Sequence, residues 1–488
     1  MSRLTDENET RKKRKEQALK GGINPYPAKV KRTHAIADVL AHFDQLMKEV
    51  SELSLVGRLR SIRLHGGSCF ANIEDGTEKI QLFIKKDLVG EKEYDQFNKL
   101  FDIGDFAETT GTPFTTKRGE KSILVKNIRL ISKALLPLPE KWHGLSDVEI
   151  RYRKRYLDLI ANQGIKEVFI KRARIISTIR AFLDQAGFLE VETPMLQPIP
   201  GGANAAPFIT HHNALNTDLY LRIAPELYLK RLIVGGLEKV YEVSRCFRNE
   251  GIDKSHNPEF TQVEFYAAYW DYHMLMDFAE KLIKDIVRKV NKSMKLTFAG
   301  VDVDFSKEFA RITFMDACHL LAKIDVANLS DAGLIKTARD HGLDIPAGMN
   351  RAKVLDEIFK TLVRPHLAEP TFVMDHPIEL SPLAKKREDN PRVVERFQLV
   401  AAGSELCNAF SELNDPIDQE ERFKAQEKMR RAGDEEAQRI DQDYIEALSY
   451  GMPPTAGIGI GIDRLTTVLT NSRHIKEVIL FPTLKPKG

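Results

Sequence analysis

Between Leu53 and Leu135 apolar and polar positions alternate in short runs, such as Ile80-Gln81-Leu82-Phe83-Ile84 and Ile123-Leu124-Val125. Gly66-Gly67, Asp75-Gly76 and Arg118-Gly119-Glu120 separate them. Alternation of period two puts every second side chain on one face, so this stretch predicts a small β-barrel. Upstream, a polar helical arm is stopped by Gly21-Gly22-Ile23-Asn24-Pro25-Tyr26-Pro27, and a short helical stretch follows to about Val50. Beyond a connector with Pro137, Pro139 and Trp142 the period changes. Val168, Ile175, Ile179, Phe182 and Ala186 recur at helical spacing until Gly187 ends the helix. Val240 to Arg248 and Phe260 to Tyr269 have strand character and flank a polar, turn-rich run, which predicts a long antiparallel hairpin. A helical region at about 272–365, further strands and a last helix from about Ile462 complete an α+β chain. Its expected organisation is a basic helical extension (1–52), the barrel (53–135), a linker (136–150) and a larger domain (151–488) carrying the helical insertion.

Composition agrees with several cores. A length of 488 residues exceeds what one core usually supports, and 42% apolar residues can fill two or three. Charged residues nearly cancel at a net +3, so nucleic-acid binding has to come from local patches. One such patch is Arg11-Lys12-Lys13-Arg14-Lys15, which is either a solvated helix or frayed arm, or a contact to an RNA backbone. The start of the chain lacks a signal-peptide stretch, and no window approaches a membrane span, so the expectation is a cytoplasmic protein with no membrane association. Cys69, Cys246, Cys318 and Cys407 stand singly, without a CxxC pair, and read as reduced, buried thiols.

Candidate chemistry sits in three places. The barrel has the size of a five-stranded oligonucleotide-binding (OB) fold, with Arg63, Phe70, Gln81 and Glu120 as candidate base contacts. On barrel grounds alone Phe70 is either a core residue or a stacking platform. In the hairpin, Gln262, Glu264 and Tyr266 share one face, and the nearby aromatic residues Phe260, Phe265 and Tyr269 point to a covered one. Near the C-terminus, Gly457-Ile458-Gly459-Ile460-Gly461-Ile462-Asp463-Arg464 allows close backbone approach to a ligand, with Arg464 at the start of a helix. The spacing is GxGxG, not GxGxxG, which excludes a dinucleotide fingerprint, and no GxxxxGK[ST] occurs. A triphosphate would then be held by arginines, with Arg248 and Arg464 suited to it.

These residues resemble class II aminoacyl-tRNA synthetases and, among them, the lysyl-tRNA synthetases, over nearly the full length. Phe188 to Pro194, Phe247 to Glu264 and Gly457 to Arg464 resemble the three class motifs. More specific are Ile199-Pro200-Gly201-Gly202-Ala203, Ala224-Pro225-Glu226-Leu227-Tyr228-Leu229-Lys230, His256-Asn257-Pro258-Glu259-Phe260-Thr261 and Asn408-Ala409-Phe410-Ser411-Glu412-Leu413-Asn414-Asp415. The resemblance implies a catalytic domain built on an antiparallel sheet flanked by helices, a homodimer through the first motif, and an OB-fold anticodon reader. It further implies a ligase with lysine, ATP, Mg²⁺ and tRNA(Lys) as partners: the lysine carboxylate attacks the α-phosphate, and a terminal ribose hydroxyl of the tRNA then takes the lysyl group.

Carried over by residue, the resemblance implies that Arg248 meets the α-phosphate and the lysine carboxylate, Phe260 stacks on adenine and Arg464 holds the terminal phosphate. Glu250, His256, Asn257, Glu405 and Gly461 complete the ATP site. Gly202, Glu226, Glu264, Tyr266, Asn408, Phe410 and Glu412 form the lysine pocket, with Glu226 facing the α-amino end, Glu412 with Tyr266 the side-chain end, and Glu264 serving either. Three acids around one small ligand argue for a cationic substrate, because crowded carboxylates without a cation lose their charge. In the barrel, Phe70 becomes a base-stacking residue beside Arg63, Gln81 and Glu120. Glu405 matches a metal-binding acid, but where relatives commonly show Arg-Phe-Glu this chain reads Arg396-Phe397-Gln398. An uncharged amide predicts weaker hold on Mg²⁺.

Overall fold

The computed structural model describes residues 2–139, 145–346, 348–434 and 436–486. Trp142 lies outside the described residues. The chain forms two compact units, Met1–Ser146 and Asp147–Gly488.

In the first unit, strands Leu53–His65, Ser68–Glu74, Lys79–Lys85, Phe106–Thr115 and Lys121–Ser132 close into a five-stranded barrel. Alternation is clear in Lys79–Lys85, where Ile80, Leu82 and Ile84 point into the core and Gln81 and Phe83 point outward. The basic arm is a helix, Ser2–Lys20, and it is not frayed. Arg11 is 4% exposed and donates to the carbonyls of Ile103 (3.1 Å) and Ala134 (3.3 Å), while Arg14 pairs with Asp102. Part of the basic run is therefore structural, and Lys12 and Lys13 remain on the surface.

The second unit is built on an eight-stranded sheet. Its spatial order is Ala310–Thr313, Thr371–Pro377, Val393–Ala401, Ser404–Ser411, Thr455–Gly461, Glu259–Ala268, Lys239–Phe247 and Leu189–Glu190. The six inner strands are antiparallel, and the two edge strands pair in parallel. Period two divides the hairpin strand Glu259–Ala268 between two environments. Val263, Phe265 and Ala267 pack with Ile175, Ile179 and Leu183 of helix Gln163–Gln185 and with Leu275, Met276 and Leu282 of helix Tyr272–Asn291. Full burial of each large apolar side chain stabilises by about 1.5–3 kcal/mol, which fixes the register of the strand. Gln262, Glu264 and Tyr266 are thereby turned to the opposite face.

The interval 272–365 is not purely helical. It contains the hairpin Lys295–Phe298 and Val301–Asp304 and the edge strand Ala310–Thr313. Four-residue strands are too short to show a period in sequence, so they merged with the surrounding helical pattern. Helices Asp331–Asp340 and Arg351–Ile358 then build a separate apolar cluster against Val373 and Val400.

Candidate active site

A cavity of about 480 Å³ opens over the polar face of the sheet. Arg248, Glu250, His256, Asn257, Phe260, Glu405, Gly461 and Arg464 line it together with Gly202, Glu226, Glu264, Tyr266, Asn408 and Phe410, while Glu412, 1% exposed, lies behind that lining. Every residue expected in the nucleotide and amino-acid sites except Glu412 thus faces one continuous space, and Glu412 sits behind it against Lys230.

At one end are groups suited to a nucleotide. Arg248 follows strand Lys239–Phe247, and its guanidinium lies 4.9 Å from the centroid of the Phe260 ring. Its Nε is buried without a hydrogen-bond partner. Arg464 is in the first turn of helix Ile462–Thr470, with Nη1 3.7 Å from Glu405 Oε1 and Nη2 3.4 Å from His256 Nε2. That helix is tied to the hairpin by Asp463, which accepts from the Thr261 amide (2.9 Å) and pairs with Arg172. Asn257 holds its own loop, donating to the Glu259 carbonyl (2.6 Å) and accepting from the Thr483 amide (3.3 Å).

At the other end three carboxylates converge from three elements. Glu226 opens helix Glu226–Val234, Glu264 lies on the hairpin, and Glu412 follows strand Ser404–Ser411. They are 6%, 5% and 1% exposed. Lys230, one helical turn after Glu226 and fully buried, donates to Glu226 Oε1 (2.6 Å) and pairs with Glu412. Its Nζ lies 5.3 Å from the Phe410 ring centroid. Glu264 accepts from Gln262 Nε2 (2.6 Å) and Tyr266 Oη (2.9 Å). Tyr266 thus hydrogen-bonds Glu264, and its ring and Glu412 Oε1 both flank Gly457. Asn408 accepts from Arg396 Nε (2.8 Å).

Close approach explains the glycines. A Cβ at Gly457 would meet Glu412 Oε1 and Tyr266 Cε1, each at 2.3 Å, and one at Gly202 (φ +88°) would meet Glu226 Cβ at 2.9 Å. Burial pushes the Glu264 carboxyl up to about 8, with the Glu226 charge adding to it. Burial likewise raises Glu226 and, well above the ordinary carboxylate range, Glu412, with Lys230 opposing in both cases. Burial works against the Lys230 charge as well, but Glu226 and Glu412 outweigh it and keep the ammonium charged. Three acids against one cation in ion-pair contact leave two negative charges unpaired, with Arg396 adding positive charge toward Glu226 from a greater distance. Lys230 was missed from sequence because a lysine inside a helix ordinarily reads as a surface residue. The available signal was its spacing of four from Glu226.

For a metal, the donors near Arg464 are the Glu405 carboxylate and the amide oxygen of Gln398. Gln398 Nε2 lies 3.4 Å from Glu405 Oε2, and Arg364 Nη1 is 4.0 Å from the same oxygen. Among the described residues no group of three or more His, Cys, Asp or Glu could hold a metal ion. One carboxylate with an amide fits a Mg²⁺ that arrives on nucleotide phosphates, since that ion usually takes one or two protein carboxylates and completes its shell from phosphate and water.

On the barrel, Phe70 is half-buried on the outer face. It stacks on Phe83 with ring centroids 4.5 Å apart and planes 10° from parallel, and Phe83 lies 5.7 Å from Phe114. Arg63 is paired in register with Phe70 and is exposed, as is Glu120, while Gln81 accepts from Ser122 Oγ (2.9 Å). Phe83 and Phe114 were not singled out in the sequence, although the period of Lys79–Lys85 already placed Phe83 beside Gln81. No helix among the described residues is long and apolar enough to cross a membrane. The four cysteines are free and buried.

Comparison with known proteins agrees with this geometry. The family of tRNA synthetases class II (D, K and N) matches residues 147–485, and an OB-fold nucleic acid binding domain matches residues 53–131. The chain is 52% identical over 472 residues to a lysine-tRNA ligase of Moorella thermoacetica, covering 96% of each. It is 52% identical to one of Syntrophomonas wolfei, covering 96% of this chain and 94% of that one, and 50% identical to one of Roseiflexus sp. strain RS-1, covering 97% of each. With an antiparallel sheet carrying the second and third motifs around one cavity, and half its residues shared with these ligases along nearly its whole length, the chain belongs to the class II tRNA synthetases of the D, K and N group.

Proposed function

We propose that this protein is a lysine-tRNA ligase, which activates L-lysine with ATP and transfers it to the 3′ end of tRNA(Lys). The observation that carries the reading is the charge count in the pocket. Glu226, Glu264 and Glu412 surround one buried ammonium, Lys230, and leave two negative charges for a substrate with two ammonium groups. An aspartate or asparagine substrate offers one ammonium and would leave a buried charge unmatched.

In this reading Arg248 lies between the lysine carboxylate and the α-phosphate, Phe260 carries the adenine, and Arg464 takes the terminal phosphate. A carboxylate oxygen attacks the α-phosphorus, the bond to the bridging oxygen breaks, and pyrophosphate leaves with that electron pair. No side chain has to move a proton in this step. The chain's contribution is to align the two reactants and to place guanidinium charge where phosphate charge grows. Mg²⁺, held by Glu405 and the Gln398 amide oxygen together with ATP, would supply further neutralisation of phosphate charge. In the second step a terminal ribose hydroxyl of the tRNA attacks the lysyl carbonyl carbon, the bond from that carbon to the phosphate oxygen breaks, and AMP departs with that electron pair, its phosphate able to take the hydroxyl proton. Phe70, with Phe83, would stack on anticodon bases, while Arg63, Gln81 and Glu120 meet base edges.

A homodimer in the cytoplasm completes the proposal. Its support is apolar surface around the first motif, where Leu189, Met195 and Leu196 are 52%, 49% and 45% exposed. Exchange of pyrophosphate into ATP, measured with Mg²⁺ and a panel of amino acids, tests the activation step. Exchange should depend on lysine and be abolished in Arg248→Ala, whereas a response to aspartate or asparagine in place of lysine overturns the assignment.

A further inference from the structure

Three carboxylates and one ammonium are sealed together whether or not a substrate is present, and that raises a question about the empty pocket. Glu412 Oε1 has no hydrogen-bond partner, and a Cβ at Gly457 would touch that oxygen and the Tyr266 ring at once. Lys230 is committed to Glu226 and Glu412, so Glu264 has only neutral partners, Gln262 and Tyr266. Two net negative charges in a space this enclosed are costly without counter-charge.

We infer that in the empty pocket protons on the carboxylate cluster stand in for the two ammonium groups of the substrate, and that lysine binding expels them. Lysine selection is then an exchange of cations, in which the substrate replaces protons bound to the acids while Lys230 stays as the fixed third charge. This rests on the lysine reading above.

The surroundings bear on which acid holds a proton. On the hairpin, Glu242 is neutralised by Arg222 and Cys246 lies beside Glu264; burial pushes that thiol up to about 12, so it is neutral. Tyr266 and Tyr444 are held protonated by burial. From strand Val393–Ala401, Arg396 faces Asn408 and contributes positive charge toward Glu226. Among the described residues no cation forms an ion pair with Glu264, and burial pushes its carboxyl up to about 8. Glu264 is therefore a seat for a displaceable proton at neutral pH. The sign follows directly: a group protonated in the free protein and ionised in the complex makes affinity rise with pH up to the free-state pKa and level off above it.

Isothermal titration of the full chain with L-lysine at pH 7, in buffers of low and high ionisation enthalpy, reads the count. Both substrate ammonium groups are charged there, so buffer-dependent heat belongs to the protein. The expected result is release of roughly one to two protons per lysine bound, with affinity rising by about tenfold per pH unit for each proton released between pH 6 and 8. In Glu264→Gln, titrated to saturation, the count should fall, and an unchanged count overturns Glu264 as the seat. Lysine binding with buffer-independent heat and pH-independent affinity overturns the exchange while leaving the lysine reading intact. Absence of lysine binding removes the lysine reading itself.

Discussion

Lys230 concentrates the consequences at the scale of single residues. Removing one member of a buried ion pair leaves its partners uncompensated, at about 3–5 kcal/mol. Lys230→Met should therefore lower stability by about that amount in denaturant unfolding, and a loss below about 1 kcal/mol would mean that the pairs to Glu226 and Glu412 are not held as described. Gly457→Ala places a methyl in the space of Glu412 Oε1 and the Tyr266 ring, so lysine-dependent exchange should fall by about 100-fold or more, through a 1 Å-scale misplacement. Near-normal exchange would show that the pocket floor can yield. The raised Glu264 pKa also predicts a pH effect on the free protein. The group binds its proton more tightly folded than unfolded, so its contribution to stability is complete below the ordinary carboxylate range and is lost as pH rises toward about 8. The unfolding midpoint without ligand should fall over that range, and saturating lysine should reduce the fall; a midpoint that rises toward pH 8 would contradict it. Strand period alone made Gln262, Glu264 and Tyr266 legible as one face. Lys230 was illegible for a physical reason, because its burial depends on acids brought in from Glu412, far away in the chain.

At the scale of elements, the hairpin and the barrel were readable because each repeats a clear period; the hairpin strands lie one residue from the expected positions, and the last barrel strand stops at Ser132, three residues before Leu135. The strands Lys295–Phe298, Val301–Asp304 and Ala310–Thr313 were not readable, since four residues carry no period and only tertiary pairing makes them strands. The aromatic strip on the barrel lies between these cases. Phe70, Phe83 and Phe114 sit on different strands, and their adjacency comes from register, not from sequence spacing. Base stacking contributes about 1–3 kcal/mol per base. Phe70→Ala and Phe83→Ala should each weaken tRNA charging by roughly 5- to 150-fold through KM for tRNA and leave lysine-dependent exchange intact. Equal loss in both assays would contradict a role confined to tRNA.

At the scale of the whole molecule, the two half-reactions make separate demands. Activation needs only the cavity over the sheet, whereas transfer also needs the RNA to be chosen, for which the barrel supplies an outer aromatic and polar face. The exposed Leu189, Met195 and Leu196 make a further demand, since an apolar segment of this kind is usually covered by a partner surface. Sedimentation equilibrium should give twice the 55.4 kDa chain mass, and Leu189→Glu combined with Met195→Glu should shift it toward the single mass. A native chain sedimenting at 55.4 kDa would contradict the dimer. The central claim remains that two unmatched negative charges select a substrate with two ammonium groups. Comparing kcat/KM in pyrophosphate exchange for L-lysine and for L-norleucine, which keeps the four side-chain carbons and lacks the terminal ammonium, tests this selection. Norleucine should be worse by roughly 1,000-fold or more, because nothing in it pairs with the acid that the second ammonium would meet. Values within about tenfold of each other would contradict it.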